Sequence, residues 1–174
     1  RRISLLQPDS YVAEQYRSLR GRLDSLASQR PLKTIAVTSA NAGEGKSTCS
    51  VNLACVTAMS VGRSVLLIDC DLRRPKVHWT LGLQPQVGLA EILLNQATID
   101  EAIVKVAGIN LDVLPVRMIP SNPSELLASP EMRRVIEEVA RRYDRVVLDI
   151  LDRRRVVGLV LNGSEATREQ YGYY

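Results

Sequence analysis

The chain has 174 residues, 45% of them hydrophobic, which suits one domain with a buried core and excludes disorder throughout. Its net charge of +4 is a mild excess, spread out apart from Arg153-Arg154-Arg155, and aromatics at 4% leave no stacking platform for single-stranded nucleic acid, so no nucleic-acid partner is expected. Cys49, Cys55 and Cys70 lack CxxC spacing and argue for a reducing compartment over a disulfide frame or zinc site; a single histidine, His78, read as a surface or loop residue, excludes a multi-histidine metal centre.

Residues 9–27 read as a helix, capped by Asp9 or Ser10, with Val12, Tyr16, Leu19 and Leu23 at helical spacing. Arg30-Pro31 closes it, and residues 34–39 follow as a buried strand. From Lys46 the pattern turns helical through Val51, Leu53, Ala54 and Ala58, with Gly62 as its stop. Residues 65–68 form a second strand. Residues 89–95 and 99–106 are expected as short helices and 111–116 as a strand. Asn122 with Pro123 and Glu125 starts another helix, and Ser129-Pro130 starts one that runs to about Arg142. Residues 146–148 are a strand ending at Asp149, and 156–161 one more. This alternation predicts an α/β fold, a mostly parallel sheet with helices on both faces. The last two strands are separated by residues 150–155 alone, whereas a parallel crossover needs about a dozen residues. Either those strands are antiparallel or chain is missing near 150/151, and missing chain is the favoured reading. No apolar run reaches the ~18 residues of a membrane span. The opening on Arg1 instead of Met reads as an excised or processed piece.

The chemistry begins at residues 39–48, Ser-Ala-Asn-Ala-Gly-Glu-Gly-Lys-Ser-Thr, between a strand and a helix. Glycine permits the φ > 0 that turns backbone N–H groups inward, and a helix N-terminus then holds anions. This is a P-loop with Ala40 at the first Gly position. Lys46 is placed on the β- and γ-phosphates of a nucleoside triphosphate and the Ser47 hydroxyl on Mg2+. Asn41, Ala42, Gly43, Glu44, Gly45, Lys46, Ser47 and Thr48 are the candidate nucleotide contacts. Asp69, Asp71 and Asp149 follow strands, and ligands of open parallel sheets bind outside the strands' carboxyl ends. All three are expected to converge on the P-loop, to hold Mg2+ or to accept a proton. Tyr171, Tyr173 and Tyr174 crowd the last four residues beside Gln170 and Gly172, as in an accessible tail.

These residues resemble the bacterial tyrosine kinases of the capsular exopolysaccharide class. Residues 66–75, Leu-Leu-Ile-Asp-Cys-Asp-Leu-Arg-Arg-Pro, resemble that family's Walker A′ motif, D-x-D-x-R. Residues 44–47 resemble its Walker A, and 143–149 the approach to its Walker B. Glu14, Arg17 and Arg20 match its E-x-x-R-x-x-R element, and 122–127 and 158–163 also resemble family stretches. The turn after Asp149 lacks the family's proline.

The resemblance implies an architecture like that of partition ATPases and an organisation in three parts. These are an N-terminal oligomerisation helix (1–30), a P-loop kinase domain (31–164) and a tyrosine-rich tail (165–174). It implies ATP with Mg2+, the metal held by Ser47, Asp69 and Asp149, and a further nucleotide contact at Asn162. Lys46, Asp69, Asp71 and Asp149 become the catalytic set. Tyr171, Tyr173 and Tyr174 become phosphoacceptors served by a neighbouring subunit in a ring-like homo-oligomer built through Glu14, Arg17 and Arg20. A transmembrane activator or polysaccharide co-polymerase segment, fused or separate, and protein tyrosine substrates are the implied partners. The cytoplasmic face of the bacterial plasma membrane is the implied location, and regulation of exopolysaccharide synthesis or export the implied role. Two rivals stand beside this reading: a partition-type ATPase switch, which would carry a lysine where this chain has Asn41, and a non-catalytic nucleotide-binding regulator.

Overall fold

The computed structural model describes residues 7–29, 32–39, 41 and 43–150. Among the described residues, five strands form one sheet: β1 (Thr34–Val37), β2 (Val65–Asp69), β3 (Val104–Val106), β4 (Leu111–Leu114) and β5 (Arg145–Asp149), in the order β1-β5-β2-β4-β3. All neighbours are parallel except β3, which runs antiparallel to β4 and forms one edge, with β1 at the other.

Side chains alternate between the two faces of a strand. Leu66 and Ile68 of β2 therefore enter one core with α4 (Leu89–Leu93), α5 (Ile99–Ala102), α6 (Pro123–Leu127) and α7 (Pro130–Arg142). Val65 and Leu67 enter another with α2 (Lys46–Ala58) and α3 (Val77–Leu81). Every residue of β2 and β5 is buried, as central parallel strands covered on both faces require. The expected layering is thus present. Cys49, Cys55 and Cys70 are all buried inside it outside any disulfide, and no described helix is long and apolar enough to cross a membrane.

The first described helix, α1 (Tyr11–Gln29), lies on α2. Ser10 is its cap, its Oγ accepting the Ala13 N–H at 3.2 Å. Asp24 anchors α1 to the sheet through Arg63 (2.6 Å) and the buried Arg145 (3.0 Å). Both proline-marked helices start where expected. Ser129 Oγ accepts the Met132 N–H, and Pro130 occupies the first turn, where its missing N–H costs nothing.

Two expectations are corrected. Residues 99–106 are not one helix. Thr98 and Glu101 form a capping box that starts α5, but the helix stops at Ala102 and Val104–Val106 pairs with β4 as β3. The β-branched Ile103 and Val104 favour that extended backbone. Residues 77–81, expected as no element, form α3, which ends at Gly82 in the left-handed conformation (φ 71°); His78 is therefore a helix residue, half-buried. The strand expected at 156–161 lies outside the described residues.

One close approach fixes the turn before α4. A Cβ on Gly88 would sit 2.4 Å from the Pro115 carbonyl oxygen and 2.8 Å from the Arg117 nitrogen, both backbone. Gly88→Ala is expected to cost about 1–3 kcal/mol by overpacking, read as a lower denaturation midpoint with an unchanged slope in urea.

Candidate functional site: a P-loop facing three carboxylates

The loop between β1 and α2 has the backbone that a phosphate cradle needs. Gly43 (φ 92°) and Gly45 (φ 87°) are both left-handed, and Gly45 is the N-cap of α2. A Cβ on Gly43 would meet nothing within 4 Å, so its torsion and not crowding demands glycine. Glu44 pins the loop from within, accepting the Asn41 N–H at 3.0 Å and its Nδ2 at 2.8 Å. Asn41 and Glu44 thus shape the cradle. Ser47 and Thr48 occupy the first turn of α2, both partly buried.

Strand register brings the carboxylates together. Asp69 at the end of β2 pairs directly with Asp149 at the end of β5, and Asp149 in turn pairs with Val37 at the end of β1. Lys46, buried at the start of α2, donates to Asp149 Oδ1 at 2.8 Å and reaches Asp71 Oδ2 at 3.5 Å. Three of the four residues expected to be catalytic therefore share one charge network, and Asp69 borders it.

The two aspartates of the D-x-D run sit in different surroundings. Asp69 has no solvent exposure, and both of its oxygens are occupied: Oδ1 accepts the Asp71 N–H, and Oδ2 the N–H groups of Lys76 and Val77. It ties the 71–77 loop into one shape. Burial, and then the neighbouring Asp149, push its carboxyl up to about 7 against those N–H bonds. Asp71 keeps an edge toward solvent and holds the Arg74 N–H at 3.0 Å through its other oxygen.

Sequence reasoning missed two contributors. Ser50, fully buried one turn after Lys46, lies 3.0 Å from the Lys46 carbonyl and 3.2 Å from Asp149 Oδ1. Its signal was a hydroxyl at i+4 from the P-loop lysine inside an apolar helix. Tyr16 of α1 shares a hydrogen bond with Cys49 of α2, and burial followed by that thiol's charge raises the phenol to about 12. Burial also raises the Cys49 thiol, and the nearby Asp149 adds to this.

The residues fit a nucleotide with Mg2+. Asp149 Oδ2 is buried and has no hydrogen-bond partner among the described residues, so an acceptor stands ready beside the cradle. No group of three or more acidic, His or Cys side chains among the described residues forms a metal cage by itself. Mg2+ takes one or two protein ligands and completes its shell with phosphate oxygens and water.

The remaining expected site residues divide in two. Glu14 and Arg17 pair with each other at 2.9 Å on the outer part of α1, and Arg17 also donates to the Pro8 carbonyl. Arg20 turns inward, where Nη1 donates to the Val56 carbonyl (2.7 Å) and Ser60 Oγ (2.6 Å) and caps the end of α2. Ala42, Asn162, Tyr171, Tyr173 and Tyr174 lie outside the described residues.

Comparison with known proteins gives this geometry a family. The family described as an AAA domain matches residues 32–159. The tyrosine-protein kinase YwqD of Bacillus subtilis (strain 168) is 42% identical over 147 residues, 84% of this chain and 62% of that protein. The chain thus spans about three fifths of the length of the first curated relatives it matches, and about a fifth of several others. The kinase domain of the Escherichia coli tyrosine kinase ETK superposes with a TM-score of 0.80 at 30% identity, over 85% of this chain and 58% of that one. A more distant fold match is the septum site-determining protein MinD of Pyrococcus horikoshii OT3, solved with Mg-ADP, with a TM-score of 0.59 at 27% identity over 67% and 48% of the two chains. With its P-loop and a family match over most of its length, the chain belongs to the AAA-domain family, and the tyrosine kinases YwqD and ETK are similar to it over more than four fifths of its residues.

Proposed function

We propose that the chain is an ATP-dependent protein-tyrosine kinase that phosphorylates the tyrosine cluster of its own C-terminal tail, between subunits. The observation that carries this reading is the junction of Lys46 with both Asp149 and Asp71, which puts a phosphate-seeking cation and a solvent-edged carboxylate at one point. The cradle at residues 43–48 binds the triphosphate through backbone N–H groups. Lys46 exchanges its carboxylate partners for phosphate oxygens, where it offsets the charge that develops on transfer. Mg2+ would be held by Ser47 and by Asp149, and when bound it supplies charge neutralisation on the phosphate oxygens. Asp71 accepts the phenolic proton as the tyrosine oxygen forms its bond to the γ-phosphorus and the bond to the ADP oxygen breaks. Asp69, with both oxygens committed to backbone N–H groups, positions Asp71 in place of holding metal.

The wider setting is part of the same proposal. A ring-like oligomer would use the outer residues of α1, Glu14 and Arg17. Arg20 contributes from inside by fixing α1 on α2. A membrane-spanning activator segment, fused or separate, and a role in exopolysaccharide production at the inner face of the plasma membrane follow from kinship with the capsular kinases. Asn162 remains a proposed nucleotide contact.

Incubating the purified chain with ATP and Mg2+ and mapping its C-terminal peptide by mass spectrometry tests the reading. Phosphate is expected on Tyr171, Tyr173 or Tyr174, and none on a variant with phenylalanine at all three positions. ATP hydrolysis with an unmodified tail would instead identify a partition-type switch, the reading that the MinD-like fold would favour.

A further inference from the structure

The carboxyl edge of the sheet continues beyond Asp71 into a cationic surface that the transfer chemistry leaves unused. Arg73, Arg74 and Lys76 follow Asp71 in the loop after β2, and all three are exposed. Arg117 is exposed in the loop after β4, the parallel neighbour of β2, so the two loops rise side by side. Their contacts confirm it. Arg73 Nη2 donates to Ser124 Oγ at 3.0 Å, at the start of α6. Arg117 lies close enough to His78 of α3 to join partial burial in lowering that imidazole's pKa. Among the described residues, none of these four cations is in ion-pair contact with a carboxylate, whereas Arg17, Arg63, Arg142 and Arg145 all are. Trp79, 79% exposed, stands beside His78 with ring centroids 5.8 Å apart.

Strand order gives this rim its place. Read along the edge from β1, the P-loop comes first, then Asp149, then Asp69 and Asp71, then the cations. The triphosphate occupies the β1 end, so an acceptor reaches Asp71 from the β4 side, across the rim. A ligand that matches the rim carries a compact multiple negative charge next to an aromatic ring. Guanidinium groups bind phosphate through paired N–H bonds, and an exposed indole offers a face to a ring.

We propose that this rim binds a phosphotyrosine of the tyrosine-rich tail of a second copy of the chain, so that a tail with one phosphate is held with its next tyrosine directed to Asp71. The tail supplies the right grammar. Tyr171 and Tyr173 are two residues apart, about 7 Å along an extended chain, and Glu165 and Glu169 precede them. Each phosphate adds about −1.5 to −2 charges. Phosphorylation would then spread within the cluster, each product improving the hold on the next acceptor. This inference rests on the kinase reading for its consequence, but the binding it asserts can be measured without catalysis.

Labelled peptides spanning residues 163–174, one unmodified and one phosphorylated at Tyr171, are titrated with the full chain by fluorescence anisotropy. The phosphopeptide is expected to bind about tenfold more tightly. That preference should vanish in Arg74→Gln/Lys76→Gln/Arg117→Gln, with retained nucleotide binding as the check on folding. Equal affinity of the two peptides overturns the proposal, as does a preference that survives in the variant. Binding of anionic vesicles without phosphopeptide preference overturns it too, and marks the rim as a lipid contact. Failure to phosphorylate either peptide with ATP counts against the kinase reading alone, since the anisotropy comparison is independent of it.

Discussion

Lys46→Met should reduce tyrosine phosphorylation of the tail by about a thousandfold or more, because in the proposed mechanism the lysine supplies positive charge where the transferred phosphoryl group develops its negative charge. The same change should also destabilise the protein without nucleotide. Lys46 is buried and donates to Asp149, which has no exposure, and to Asp71. Removing one partner of a buried ion pair typically costs about 3–5 kcal/mol, since the other charge is left uncompensated. Adding Asp149→Asn should recover most of that stability and none of the activity. Quantitative mass spectrometry of the tail and urea denaturation separate the two effects. A double variant that recovers activity would show that Lys46 acts only as the counter-ion of Asp149.

Asp71→Asn is expected to lower the rate of transfer by about a hundred- to ten-thousandfold while nucleotide affinity stays close to that of the wild type. Asp69→Asn should behave differently. An amide cannot accept N–H bonds at both of its heavy atoms, so the three donors now satisfied by Asp69 lose at least one partner, a cost of about 1–3 kcal/mol. Stability should fall with it, and transfer should fall as the 71–77 loop loosens. Its pH dependence has a definite sign. The folded-state value of about 7 lies above the ordinary 3.8, so the stabilising share of Asp69 is full below the lower value and is lost as pH rises toward the upper one. The gap in unfolding free energy between wild type and Asp69→Asn should therefore narrow from about pH 4 to pH 7, by up to about 1.4 kcal/mol per pH unit, and level off above.

Periodicity and loop chemistry made much of this legible before any coordinates. Glycines at 43 and 45 ahead of Lys46 demanded the left-handed turns that are present, and apolar runs bounded by Asp69 and Asp149 demanded buried strands whose ends meet. What escaped has physical reasons. Thr98 and Glu101 announce a helix start, and nothing polar announces its stop at Ala102; pairing with β4 decides that. The helix at Val77–Leu81 is five residues long, too short for a period to show. The different surroundings of Asp69 and Asp71 depend on which oxygens meet backbone N–H groups seven and eight residues on, which no spacing encodes. For the same reason the sequence groups Arg20 with Glu14 and Arg17 in one E-x-x-R-x-x-R element, while in space it reaches across to the end of α2.

The unequal edges of the sheet carry a last consequence. At the β3 edge the strand is three residues long, antiparallel, and carries the exposed Lys105, features that discourage another strand from adding. At the β1 edge the strand is parallel to its neighbour and only half-covered. Among the described residues, the β1 edge is thus the one that leaves room for a further strand, from this chain or another. If it runs parallel, its carboxyl end emerges beside the P-loop, on the side opposite the cationic rim. Nucleotide and acceptor would then be served by opposite flanks of the domain, each free to vary in length or sequence without disturbing the three aspartates between them.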